Sequence, residues 1–502
     1  MVTFQQMLKG VPFSLSLLAT VSIGVCSSCS SHDDERTDEP VPPPLVVPDP
    51  STPTTVIDND YGIDGSKVSE FFTASLTDRD AATYGIDGAL NPADIDGVKE
   101  YVWGRWSQAV AGEANHLPSL ADRTAEANWD DVSVADAEWN MNGDNLGIFY
   151  ASKGVKPAKG FPLFLFLHGS GADPEEEWNA LKMYAGLFDD APSAYFIPKS
   201  PYGGVNCRWY QPSRQDAWET MLRQAFLSKD INPDKIYVMG ISEGGYGSQR
   251  LASFYADYLA GAGPIAAGDQ LFGCPPENLA NIGYCLQTGE LDTSYGRAEL
   301  TQRMKDELDR LAEAKPGHYV HKVDLQAGKG HGCDYYVTAP WLKHMTRVAT
   351  PRYVRWENFP MGGINGEGTR YRRGFYNLRV LEPSDARDND MVRSSYEMTI
   401  GDDNSIDLSV NVVTVSATDY SSSAGLNLGT EKSYAPATSG SVRIYLSDEL
   451  VDLSRPVTVR VNGVERFSGV VEPNVRHIVE SCALFFDPAR LFPAAVDVTV
   501  AP

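Results

Sequence analysis

Residues 236–253 constrain this chain more than any other stretch. The run Ile236-Tyr-Val-Met239 is apolar and rich in β-formers. Gly240 and Ser242 follow, then Gly244 and Gly245, and an amphipathic segment begins. This reads as strand, sharp turn, helix. A turn that tight needs glycines, because side chains there would run into the strand or the helix. It lifts the Ser242 hydroxyl above the sheet edge, and the helix N-terminus points its amides at any developing negative charge. The spacing Gly240-Ile-Ser242-Glu-Gly244 fits G-x-S-x-G. A pattern this short also arises by chance around a bystander serine, so the rest of the chain decides its meaning.

The chain has 502 residues, more than one core holds, and two or three domains are expected. Hydrophobic residues make up 42%, enough for most of it to fold. The net charge of -25 argues against nucleic acid or an anionic membrane surface as a partner.

After Lys9, an apolar run from Val11 to Val25 leads into Cys26-Ser-Ser-Cys29. The run is short for a membrane span and matches the core of a signal peptide. Small residues before a cysteine resemble a bacterial lipobox. Cys29 is the expected lipidated residue, with Cys26 as the second choice and a plain secretory signal as the alternative. Residues 1–28 are then a lipoprotein signal peptide. Residues 29–60 are a linker, first acidic (Ser31 to Glu39) and then proline-rich. An acidic run just after the cysteine resembles the signal that sends some lipoproteins to the cell surface. The expected location is the outer membrane or the cell surface, through the lipid anchor alone.

Residues 61–136 read as a short helical cap or brace, with Val98, Val102, Trp106 and Val110 at helical spacing. Tyr61-Gly-Ile-Asp-Gly65 recurs as Tyr84-Gly-Ile-Asp-Gly88, too little for a repeat. The aspartates fit solvated turns better than a calcium loop.

From about Ala137 the chain alternates strands with helices, the signature of a parallel, doubly wound sheet. Phe164 to Leu167, Ala194 to Ile197, Lys235 to Gly240, Gly263 to Gly268, Ile282 to Thr288 and Tyr319 to Leu325 read as strands, and Gln215 to Leu227 as a helix. The first of these strands ends in His168-Gly-Ser-Gly171, a loop whose backbone can approach an oxyanion closely.

Four motifs in order carry a resemblance: His168-Gly-Ser-Gly171, Gly240-Ile-Ser-Glu-Gly-Gly245, Gly289-Glu-Leu-Asp292 and Gly330-His-Gly332. Over residues 137–350 the chain resembles the α/β-hydrolase superfamily, and within it the secreted esterase and depolymerase-like group. The order Ser, acid, His is the one that superfamily uses. The resemblance implies Ser242 as nucleophile, His331 as base and Asp292 as acid, with the backbone amides of Ser170 and Glu243 as the oxyanion hole. Glu243 departs from the pattern, since an apolar or amide residue is common there. Such a charge biases substrate choice or points to a partner.

Read from the residues alone, Glu290 competes with Asp292, because either carboxylate can orient an imidazole. Among eight histidines, His331 sits in a glycine-flanked loop after a strand. His318 and His321 read as surface or packing residues, and His168 as support for the oxyanion loop. Trp209 and Tyr210 line a substrate subsite or pack the core. Beyond the leader lie Cys207, Cys274, Cys285, Cys333 and Cys482, an odd number. Cys207 with Cys333 is one candidate disulfide, and buried free thiols are the alternative. No zinc spacing, dinucleotide fingerprint or P-loop occurs, so no metal and no cofactor is expected.

After Thr350-Pro351 helical patterns stop and strand-like runs take over, among them Gly374 to Val380 and the hairpin Val457 to Phe467 around Asn462-Gly463. Residues 351–502 are expected to be an all-β sandwich that braces the hydrolase region or binds carbohydrate. The whole reads as an exported serine hydrolase cleaving carboxylic esters on carbohydrate- or polymer-linked substrates. A serine peptidase of the same fold is the nearest rival. A non-catalytic carbohydrate-binding lipoprotein is the alternative from another class.

Overall fold

A computed structural model describes residues 61–78, 82–118, 120, 136–141, 144–204, 208–363 and 367–500. The signal peptide, Cys29, the acidic and proline-rich linker and Cys207 lie outside the described residues. The described residues belong to one compact unit, Thr55–Pro502.

Two helices come first, α1 (Gly65–Thr77) and α2 (Ile95–Val110). Asp64 caps α1 by accepting from the amides of Ser66 and Lys67. Val98, Val102, Trp106 and Val110 are all buried, as their spacing requires. The Trp106 ring meets Phe72 of α1 edge to face.

The chain then builds an eight-stranded sheet from β1 (Asp136–Met141), β2 (Asp144–Lys153), β3 (Phe161–Leu167), β4 (Ser193–Lys199), β5 (Ile231–Ile241), β6 (Gly261–Ile265), β7 (Gly283–Gly289) and β8 (His321–Gln326). Helices α3 (Pro174–Leu187), α4 (Pro212–Leu227), α5 (Glu243–Tyr255), α6 (Arg297–Ala314) and α7 (Thr338–Leu342) accompany it. The strand order is β1-β2-β4-β3-β5-β6-β7-β8. β1 and β2 are antiparallel additions at one edge, and from β4 to β8 all neighbours are parallel.

The period of two along each strand divides the interior. Leu163, Leu165 and Leu167 of β3 join Ile236 and Val238 of β5 in one core, which takes in α4, α5 and α6. Phe164 and Phe166 join Tyr237 and Met239 in the other, which takes in α3 and α7. Both faces are therefore covered, which is why β3 can be apolar at every position. The sequence places strand six too late. It ends at Ile265, because Ala266 takes a positive φ of +51° and turns the chain away.

The C-terminal strands are β9 (Tyr353–Asn358), β10 (Met361–Gly362), β11 (Thr369–Arg370), β12 (Gly374–Phe375), β13 (Leu378–Glu382), β14 (Val392–Ile400), β15 (Ser405–Ser421), β16 (Leu426–Pro436), β17 (Ser441–Leu446), β18 (Val457–Val461), β19 (Val464–Gly469) and β20 (Ala494–Thr499). They form a four-stranded sheet, β12-β13-β17-β20, and a six-stranded one, β19-β18-β15-β14-β9, with β16 added along β15 and β10 pairing β11 separately. Trp356 of the larger sheet stacks on Phe375 of the smaller. Asn462 and Gly463 both have positive φ, as the favoured Asn-Gly hairpin turn demands.

Two expectations need correction here. The region is not all-β: α8 (Val475–Phe485) interrupts it, capped by Asn474 accepting from the Arg476 amide. Its Val475, Ile478, Val479, Cys482 and Phe485 are buried on one face, so β-branched residues here follow a helical period. The run Gly374 to Val380 is not one strand either. It folds back at Tyr376, whose φ is +53°, and β12 pairs with β13.

Ion pairs join the C-terminal region to segments that pack on the eight-stranded sheet, and those of Arg490 are fully buried. Arg490 reaches Asp257 just beyond α5 at 2.6 Å and Asp487 at 2.7 Å, and Arg372 reaches Asp257 at 2.8 Å. Lys432 of β16 bridges Glu277 and Glu357 at 2.8 and 2.7 Å. Burial alone would raise the Asp487 carboxyl, yet Arg347 and Arg490 hold it down at about 2. Losing one partner of such a pair costs about 3–5 kcal/mol, because the other charge stays buried without compensation. These contacts fasten the C-terminal region to Asp257 and Glu277, in the segments that follow α5.

Candidate active site

A single residue, Ser242, separates β5 from α5. Ser242 holds φ +56° and ψ -112°, a conformation that costs a non-glycine residue roughly 1–3 kcal/mol. Its surroundings enforce it. The Ser242 amide donates to the Ile265 carbonyl at 2.9 Å, and the Tyr246 amide donates to the Ser242 carbonyl at 3.1 Å. A Cβ at Gly240 would sit 2.2 Å from the Gly244 carbonyl oxygen, and one at Gly244 would sit 2.0 Å from that of Leu167. No side chain fits at either position.

His331 lies in the loop after β8. Its Nε2 accepts from the Ser242 hydroxyl at 3.0 Å, and its Nδ1–H donates to Asp292 Oδ2 at 2.6 Å. A carboxylate only accepts, so the proton belongs on Nδ1 and the lone pair of Nε2 faces the serine. Asp292 is buried, whereas the His331 side chain keeps 31% exposure. The histidine thus stands between a buried acid and the solvent-facing side of the site.

The acid and base loops are laced together. The Leu291 amide donates to the Lys329 carbonyl at 2.8 Å, and the Glu290 amide to that of Gln326 at 3.0 Å. Glu290 does not reach the imidazole. Its Oε2 accepts from the Gly328 amide at 3.0 Å and so helps hold the histidine loop. Between the two carboxylates the geometry selects Asp292 as the imidazole's partner.

Glu243 opens α5, so its amide is one of the first-turn donors that a helix leaves without an internal partner. Ser170 lies in the loop that follows β3, whose end is held by His168. The His168 Nδ1–H donates to the Gly169 carbonyl at 2.7 Å, and Nε2 accepts from the Ser200 amide at 3.0 Å. Burial depresses this histidine to about 4, so the neutral ring is a fixed strut and not a proton acceptor. His321 spends its ring nitrogens on Tyr319 and Asp309, and His318 packs on Tyr353.

The Glu243 side chain is buried in an ion pair with Arg208. Burial raises its carboxyl above the usual carboxylate range, and Arg208 offsets this only in part. Behind it, Arg250 grips Asp269 and covers the face of Tyr210 at 4.2 Å. The sequence singled out Glu243 but gave no sign of Arg208 as its partner.

The subsite expectation for Trp209 and Tyr210 fails. They are 1% and 4% exposed. Trp209 donates its indole N–H to the His168 carbonyl at 2.9 Å and packs on the His168 ring, and Tyr210 lies beneath Arg250. Both support the loop ahead of the nucleophile and leave no face for a ligand. Of the candidate Cys207–Cys333 pair, Cys207 lies outside the described residues. Cys333 is a free buried thiol, as are Cys274, Cys285 and Cys482, and burial pushes Cys333 up to about 11.

The acid has one further partner that the sequence did not suggest. Arg297, at the start of α6, donates from Nη1 to Asp292 Oδ1 at 3.1 Å and from Nε to the Tyr246 hydroxyl at 2.8 Å. An arginine at a helix start, five residues past an aspartate, looks like any surface residue in one sequence.

No family model matches the chain, and no curated protein matches its sequence. Solved structures do resemble it. A thermostable esterase shares 19% identity at a TM-score of 0.32, over 43% of this chain and 64% of that one. The feruloyl esterase module of Clostridium thermocellum shares 13% at 0.30, over 42% and 88%. Poly(aspartic acid) hydrolase-1 of Sphingomonas sp. KT-1 shares 14% at 0.32, over 42% and 96%. The strand order of this chain, its antiparallel edge and its strand-turn-helix elbow after β5 are those of the α/β-hydrolase fold.

Proposed function

We propose that this protein is a serine hydrolase that cleaves carboxylic esters, on carbohydrate- or polymer-linked substrates, through Ser242, His331 and Asp292. The observation that carries the reading is the unbroken chain Ser242 Oγ, His331 Nε2, His331 Nδ1, Asp292 Oδ2 at 3.0 and 2.6 Å, set on a strained elbow. A serine hydroxyl is a weak nucleophile at neutral pH and needs a base within hydrogen-bond reach. Ser242 Oγ attacks the ester carbonyl as its proton passes to His331 Nε2. Asp292 keeps the ring oriented and stabilises the imidazolium. The amides of Ser170 and Glu243 receive the charge that develops on the carbonyl oxygen. His331 then protonates the leaving alcohol, and water releases the acyl group by the same steps.

A bulky ester is supported by exposed apolar side chains near the acid. Leu291 and Tyr295, on either side of Asp292 in the chain, are each 62% exposed and offer an apolar rim. The test is a panel of acetylated, feruloylated and polyester substrates beside aminoacyl amides. The proposal expects turnover of at least one ester class at a kcat/KM well above that for any amide. Faster turnover of the amides would replace the esterase with a peptidase.

We infer in addition that the chain is exported and anchored by lipid at Cys29, from the apolar run Val11 to Val25, the serines before Cys29 and the proline-rich spacer. Mass spectrometry of membrane-extracted protein from its own host is expected to find an acylated N-terminal Cys29. An unmodified Cys29, or a protein wholly in the soluble fraction, sinks this assignment.

A further inference from the structure

We propose that Arg297 is a positioning residue for Asp292, set in place by an arm of the C-terminal region. The inference rests on the serine-hydrolase reading and extends it.

Arg297 is buried, and its guanidinium ties two elements of the site together. One end holds the Asp292 oxygen that His331 does not use. The other holds Tyr246 in the first turn of α5, the helix that Ser242 opens. Asp292 therefore has each oxygen assigned, Oδ2 to the imidazole and Oδ1 to the guanidinium. A buried carboxylate with one oxygen left without a donor would rotate or draw in water. The planar fork of Arg297 prevents that in a way a single ammonium cannot.

What holds Arg297 is equally specific. The turn before it carries Tyr295 and Gly296, both with positive φ, at +55° and +69°. The arm packs against this turn. β14 stops pairing with β15 at Thr414, so the rest of β15 runs on with β16 as a two-stranded hairpin. Leu428 of that hairpin lies against Gly296, where an added Cβ would come within 2.4 Å of Leu428 Cδ2. Asp419 pairs with Arg303 of α6 at 3.0 Å, and Gln270 donates to the Asn427 carbonyl at 2.6 Å. The C-terminal sheet thus reaches across to the loop that carries the catalytic acid. Tyr295 lies on the same turn, with the Arg297 guanidinium 5.1 Å from its ring centre.

The experiment uses the full chain. It compares Arg297→Met, Arg297→Lys and Tyr246→Phe, each alone and with Asp292→Asn. The readouts are kcat and KM on p-nitrophenyl acetate and the rate of fluorophosphonate labelling, with thermal melts to confirm folding. Displacing a catalytic group by about 1 Å costs about 10²-fold, so Arg297→Met is expected to lower kcat and labelling by about 10–10²-fold with KM within about twofold. Arg297→Lys restores a charge without the two-ended fork and is expected to recover part of the loss. Tyr246→Phe removes only the far anchor and is expected to cost less than Arg297→Met. If Arg297→Met does not fold, Tyr246→Phe and Arg297→Lys carry the same comparison. In the Asp292→Asn background each change is expected to add less than about twofold, because the group being positioned is already gone. A folded Arg297→Met with wild-type kcat and labelling overturns the proposal, and so does a loss of equal size in both backgrounds. A wild type that takes no label at Ser242 overturns the serine-hydrolase reading together with this one, and is told apart by that missing label.

Discussion

Replacing Ser242 with alanine is expected to lower ester hydrolysis by roughly 10³–10⁶-fold, because triad members act as a unit and only oxyanion stabilisation and binding survive. His331→Ala is expected to reach a similar floor. The double mutant should be little worse than either single one, since a base with no nucleophile to activate has nothing left to contribute. This follows from the 3.0 Å bond between His331 Nε2 and Ser242 Oγ, the only route by which this serine gains nucleophilicity among the described residues. Folding has to be checked by thermal melting. Ser242 occupies a strained turn at φ +56°, and a change there acts on stability as well as on chemistry. Losses that multiply in the double mutant would mean that the two residues serve separate steps.

The second large effect belongs to the acid. Asp292→Asn is expected to lower kcat by up to about 10⁴ with the fold intact, because an amide in place of the carboxylate favours the wrong tautomer of His331. The buried site magnifies this effect. Asp292 accepts at 2.6 Å from Nδ1 and at 3.1 Å from Arg297, so an asparagine there must present its NH₂ group to one of two donors. Glu290→Gln is expected to change kcat by far less. Its Oε2 accepts a single backbone bond from Gly328, which a glutamine oxygen can also accept. Kinetics of the two purified variants decide between them, and the reverse ranking would move the acid to Glu290.

Much of this site was legible in the sequence, for a physical reason. The elbow and the strand ahead of it sit where backbone geometry leaves few residue choices. Gly240 and Gly244 are excluded from carrying side chains by carbonyls about 2 Å away from any added Cβ, and β3 is apolar throughout because both faces are covered. Such constraints mark a sequence locally. What escaped notice depends on contacts between distant segments. Arg297 reads as an ordinary helix-start arginine until the fold brings Tyr246 and Asp292 to its two ends. Trp209 and Tyr210 have the composition of a subsite, and only the packing against His168 and Arg250 shows that they are walled in. Helix α8 escaped because its Val475, Ile478 and Val479 are β-branched and lie in a neighbourhood of strands, which hid their helical period. The hairpin at Tyr376 escaped because a tyrosine at positive φ is not a turn signal, and Phe375 and Leu378 on either side read as one apolar run.

The central claim is that Ser242 is the nucleophile, and covalent labelling tests it most directly. Full-length protein is treated with a fluorophosphonate, digested and mapped by mass spectrometry. The account predicts a single adduct, on Ser242, absent from Ser242→Ala and formed far more slowly in His331→Ala. No adduct on the folded wild type, or an adduct elsewhere with Ser242 unmodified, would contradict it.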